Sequence, residues 1–229
     1  MNYKTFLQQA NSYHERIERE DTDLYFEVLK KRNAWDLKTW NLDFVRFIFQ
    51  KYLFEWGGMA RVYPKDIQKN MFAKFLKEIP VILQRFNEPF DSALISPMFD
   101  IKARKIMMLY DDLCGLHVLR KKKIVRIAPT ATSKTLHFLF PNLFVIWDNE
   151  VVRKQQKYGT TADEYLRYLS EKRVLLQRVV KSFIDKNGGI ETQAVKAIEN
   201  MHAEELAKKG FEKFPEPITK LLDEINYAK

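Results

Sequence analysis

Apolar residues recur at three- and four-residue intervals along most of the chain, the period of a helix with one buried face. Residues 1–32 read as an amphipathic helical lead-in, with "HERIEREDTDLYFEVLKKR" carrying the charge density of a solvated helix face. In Asn41–Trp56, Phe44, Ile48 and Trp56, joined by Phe47 and Leu53, fall at helical spacing, and Gly57-Gly58 ends the run. Tyr63–Phe86 continues in the same period. Pro64 suits its first turn, and Pro80 predicts a kink or a break. Ser96–Leu116 opens on a Ser-Pro start signal and closes at Gly115, a C-cap position. Thr160–Asn187 is a long amphipathic run closed by Gly188-Gly189, and Pro215 and Pro217 introduce a last helix.

Composition narrows this pattern to a class. Seven Gly and eight Pro in 229 residues are too few for the turns of a sandwich or barrel. The expected fold is all-α, a compact multi-helix domain over 1–229 that divides, if at all, into lobes of about 1–95 and 96–229. Seventeen Phe supply ample core. Cys114 is the single cysteine, which excludes an intrachain disulfide and a four-cysteine zinc or iron–sulfur site. His14, His117, His137 and His202 show no ligand spacing, so neither a metal nor a cofactor is expected. The N-terminus has no apolar signal segment and no stretch nears the length of a membrane span. A soluble cytoplasmic protein without a membrane partner is the expectation.

Charge points to a partner. The net charge is +9, and between Asp100 and Thr160 twelve Lys/Arg face five Asp/Glu. A local excess of this kind favours a polyanion, DNA first and RNA as the alternative. The most basic run, "HVLRKKKIVRIAPTATSK", offers Arg120, Lys121, Lys122, Lys123 and Arg126 to phosphates, and Arg153, Lys154 and Lys157 extend that footprint. The same run also reads as an ordinary solvated loop.

Candidate chemistry lies in "SKTLHFLFPNLFVIWDNEVVRK", Ser133–Lys154. Pro129, Thr130, Thr132 and Ser133 read as a hairpin-like turn, with Lys134 in the first turn of a short helix that Pro141 stops. "NLFVIW" then crosses back, and Asp148 stands as the N-cap of the helix "NEVVRKQQKYG". Helix, apolar return and capped helix bring Lys134 and Asp148 toward one end of the layer. Over about 25 of 229 residues this order resembles the helix-hairpin-helix DNA glycosylase superfamily, especially its small archaeal and bacterial 8-oxoguanine glycosylase/lyases. The resemblance implies a DNA repair enzyme with Lys134 as Schiff-base nucleophile and Asp148 as catalytic carboxylate. Thr132 and Ser133 would then meet the DNA backbone at the turn. His137, Phe138, Phe144 and Trp147 would line a pocket for an extruded base. Two other readings use the same residues. In a non-catalytic DNA- or RNA-binding module, Lys134 is a phosphate contact and Asp148 a structural cap. In an interaction protein, the basic face meets an acidic protein. Trp147 as plain core and His137 as a hydrogen-bonded, half-buried histidine are the simpler assignments.

Overall fold

The computed structural model describes residues 1–17, 19–33, 47, 51–53, 73–74, 77–82, 93–120, 123–148, 152–153 and 155–227. Most of the helices expected over Asn41–Trp56 and Tyr63–Phe86 lies outside the described residues.

Helix α1 spans Tyr3–Tyr13, where the Asn2 side chain accepts the Thr5 N–H at 3.0 Å and caps its first turn. Its buried stripe is Tyr3, Phe6, Leu7 and Ala10, at the i, i+3, i+4, i+7 positions. Helix α2, Arg19–Asn33, carries Glu20 and Asp21 in its first turn and Lys30, Lys31 and Arg32 in its last, the arrangement that the helix dipole favours. Helix α3, Met98–Cys114, begins where the Ser-Pro signal indicated, with Ser96 Oγ accepting the Met98 N–H at 3.2 Å. It ends at Gly115, whose N–H bonds to the Asp111 carbonyl at 2.7 Å.

Strands β1 (His117–Arg120) and β2 (Lys123–Arg126) follow as an antiparallel hairpin that pairs Arg120 with Lys123 and His117 with Arg126. The basic run is thus a β-hairpin inserted in a helical fold. Helix α4, Pro129–Leu139, starts with Pro129 at its first position, where the missing N–H costs nothing. The stretch expected to form a turn, "PTAT", is therefore the opening of α4 itself. Helix α5 (Ala162–Asn187) opens on Thr161, whose hydroxyl accepts the Glu164 N–H at 3.3 Å, and stops at Gly188 with φ +74°. Helix α6 (Glu191–Lys208) and helix α7 (Ile218–Glu224) follow.

One apolar core joins these helices, running from Tyr3 to Ile225 in sequence. Helix α1 packs on α5, α6 and α7, while α4 lies against α2 and α3. Nine of the eleven residues of α4 are buried, so its polar side chains must find partners inside the protein.

Candidate functional site

Burial of α4 decides what its polar residues do. Ser133 and His137 stand one helical turn apart and face the segment Leu143–Asp148, which returns beside α4 without regular secondary structure. Four of its backbone groups bond to side chains. Ser133 Oγ accepts the Trp147 N–H at 2.9 Å, and the Phe144 carbonyl lies 2.7 Å from His137 Nδ1. The hydroxyls of Tyr165 and Tyr168 on α5 donate to the Val145 and Ile146 carbonyls at 2.9 and 3.0 Å. Without these bonds the buried peptide groups would each cost about 1–3 kcal/mol. The Phe144 carbonyl requires a donor, which fixes the proton of His137 on Nδ1; Nε2 then accepts the Tyr25 hydroxyl at 2.8 Å. Burial lowers the His137 pKa to about 4, so the ring is neutral at physiological pH.

Lys134 follows Ser133, and Asp148 follows Trp147. The Ser133–Trp147 bond therefore brings the two candidate catalytic residues into one neighbourhood. Lys134 is the sixth residue of α4 and not part of its first turn, because the helix begins five residues earlier than the hairpin reading placed it. Lys134 and Asp148 are both half-buried. Burial lowers the pKa of the Lys134 amine, with Asp148 the largest opposing influence and Asp223 the next. The Asp148 carbonyl accepts the N–H groups of Val152 and Arg153 at 3.3 and 3.0 Å. Asp223, on α7, is a neighbour that the sequence reading missed. Burial raises its pKa to about 6, while Lys220 and Lys134 pull it down.

Other expected site residues fall elsewhere. Thr132 and Ser133 are fully buried, and Thr132 Oγ1 accepts the Cys114 thiol at 3.3 Å; they meet protein, not a DNA backbone. His137, Phe138, Phe144 and Trp147 are at most 1% exposed and offer no open face to a base. Trp147 is already stacked on Tyr165, with ring centroids 5.1 Å apart, and it also packs against Tyr110, Tyr158 and Tyr168. The reason is local: a helix buried on nearly every side leaves its aromatic neighbours inside the core. Arg153 is half-buried and its Nε donates to the Gly159 carbonyl at 2.8 Å. Lys157 is exposed, with φ +57°. Arg120, Lys123 and Arg126 lie on the hairpin, and Lys121, Lys122 and Lys154 lie outside the described residues.

Two of the histidines converge in space. His14, just past α1, and His202, on α6, meet Glu216 and Glu224 in the interior. His14 Nε2 lies 3.4 Å from Glu216 Oε2 and 3.1 Å from Glu224 Oε1. His202 Nδ1 lies 3.3 Å from Glu216 Oε2, and its Nε2 lies 3.7 Å from Glu224 Oε2. The expectation of no histidine metal site rested on spacing, and a pair 188 residues apart has none to show. Only the packing of α1 on α6 and α7 brings the set together. A local signal did exist: Glu216, Lys220 and Glu224 recur every four residues, and a solvated helix face gives the same pattern.

Comparison with family models, with curated proteins and with solved structures finds no match to this chain.

Proposed function

We propose that this is a nucleic-acid-binding helical protein in which Lys134 and Asp148 act on a damaged nucleotide as a DNA glycosylase and abasic-site lyase. The observation that carries this reading is the Ser133–Trp147 bond, which holds the lysine and the aspartate in each other's field. Nucleophilic attack needs a neutral amine, and burial shifts Lys134 in that direction. Its nitrogen lone pair would attack C1′ of the sugar while the base leaves with the electrons of the glycosidic bond. The Asp148 carboxylate would stabilise the positive charge that develops on the sugar. Loss of the ring C–O bond then gives the Schiff base, from which elimination expels the 3′ phosphate. The basic hairpin directly precedes α4 in sequence, and its net positive charge would favour a nucleic-acid partner.

A second reading, a DNA- or RNA-binding module without chemistry, is favoured by one specific observation. The four side chains considered for a base pocket are buried and packed on protein. One experiment separates the two. The chain is incubated with duplexes carrying 8-oxoguanine or an abasic site, and borohydride is added. The enzyme gives a covalent protein–DNA adduct that is absent in Lys134→Ala and roughly 100-fold slower to form in Asp148→Asn. Salt-sensitive binding with neither adduct nor strand cleavage leaves the binding module, and absence of binding at low salt removes both.

A further inference from the structure

The second cluster stands apart from the Lys134–Asp148 reading and does not depend on it. We propose that His14, His202, Glu216 and Glu224 form a closed structural site for a divalent first-row transition ion, with Zn²⁺ the best fit. One donor atom from each of the four lies within 4.8 Å of all the others. Their side chains are at most 1% exposed.

The first argument is polar satisfaction. His14 Nε2, both ring nitrogens of His202 and all four carboxylate oxygens of Glu216 and Glu224 are buried without a hydrogen-bond partner. They approach one another closely, with the Lys220 ammonium, 3.1 Å from Glu224 Oε1, at the edge of the set. Lone pairs that converge in the interior are what a cation between them would satisfy. Separations of 3.3 and 3.4 Å match the edges of a tetrahedron, since metal bonds of about 2.0–2.2 Å set ligand atoms roughly 3.3–3.6 Å apart, and a third separation, 3.1 Å, is slightly shorter.

The second argument is the outer shell. His14 Nδ1 lies 3.1 Å from Thr22 Oγ1 on α2. With the ring proton on Nδ1 and the threonine oxygen as acceptor, the Nε2 lone pair would face the cluster, as in metal-binding histidines generally.

The third is charge. Glu216, Glu224 and Asp223 place three carboxylates in this interior, each at most 3% exposed. Against them stands the Lys220 ammonium, 3.1 Å from Glu224 and 3.5 Å from Asp223, over the rings of Tyr13 and Tyr25. With both imidazoles neutral, as metal ligands are, two negative charges remain, which a divalent ion balances. Two imidazoles with two carboxylates and no thiol suit Zn²⁺, with Fe²⁺ and Mn²⁺ as weaker candidates, better than Mg²⁺ or Ca²⁺. No face of the cluster opens to solvent, so the ion would tie the end of α1 to α6 and α7 without catalysing a reaction.

The full chain, purified without chelators, is expected to carry about one equivalent of zinc by elemental analysis. After chelation it should melt roughly 5–10 °C lower, and zinc should restore the loss. Cobalt added to the apo chain should give the visible absorption of a four-coordinate site and be displaced by zinc. Glu216→Gln and His202→Gln should abolish that spectrum. Thr22→Val, which removes only the outer-shell partner, should weaken metal binding by about 10–100-fold and serves as the test should the ligand variants not fold. Glu212→Gln, at an exposed ion pair with Lys30, is the control without effect. A chelated wild-type chain that takes up neither zinc nor cobalt and melts unchanged overturns the proposal in favour of an imidazolium–carboxylate cluster. Stoichiometric binding that survives in both ligand variants overturns it as well.

Discussion

Ser133 and His137 divide one task, since each satisfies a backbone group of the segment that crosses the core beside α4. Ser133→Ala leaves the Trp147 N–H buried without an acceptor, which should cost about 1–3 kcal/mol in urea denaturation. A loss below about 0.5 kcal/mol would mean that water or a backbone shift replaces the hydroxyl. His137 adds a pH dependence. Its folded pKa of about 4 lies below the ordinary value of 6.5, so the unfolded chain takes up the proton first as pH falls. Stability from this residue is complete above pH 6.5, declines between 6.5 and 4, and levels off below. The full effect is at most about 3 kcal/mol. Wild type and His137→Gln, unfolded in urea at intervals across that window, should differ in slope; parallel profiles would show that the ring does not titrate this way. Lys134 and Asp148 could be singled out from the sequence because residue type and order suffice for that. Burial of Thr132, Ser133 and the aromatic residues could not, because it depends on which elements surround α4, and no local pattern records that.

At the scale of elements, helix ends test the backbone directly. A Cβ at Gly188 meets nothing within 4 Å, so Gly188→Ala isolates the strain of φ +74° and should cost about 1 kcal/mol. Gly159→Ala differs in kind. A Cβ there would overlap Glu164 Oε2 and push aside the carboxylate that accepts the Gly159 N–H at 2.8 Å. The expected loss is again about 1 kcal/mol, but Glu164→Gln should lower the cost of the glycine substitution only where that cap is the cause, which a double-mutant cycle measures. The same scale shows what the sequence conveys. Helices α3 and α5 were readable because start signals, apolar stripes and closing glycines agree. Helix α6 was passed over: its buried stripe is Ala194, Ile198, His202, Ala203 and Leu206, with only two large aliphatic side chains to mark it. The hairpin was hidden by its own charge, since basic residues dominate the alternation that would have marked two strands.

For the molecule as a whole, the question is whether the described helices unfold together. Division into lobes near residue 95 would place α1 and α2 apart from the later helices. Yet α1 packs on α5, α6 and α7, and α2 packs on α4. Phe6, on α1, is fully buried in the shared core. Phe6→Ala removes that ring and should cost about 3–5 kcal/mol, a large part of the roughly 5–15 kcal/mol that holds a typical domain together. Because the lost contacts lie between the chain's two ends, the loss should appear in the global transition and not in local fraying of α1. Far-UV and near-UV circular dichroism in urea should therefore move to lower midpoints together, with the slope unchanged. Should the near-UV signal stay in place while a fraction of the helical signal melts early, α1 would be an appendage with its own stability. Coincident curves would instead mean that the core from Tyr3 to Ile225 folds as one cooperative unit, and that both groupings, half-buried Lys134 with Asp148 and buried His14 with His202, form only when that unit does.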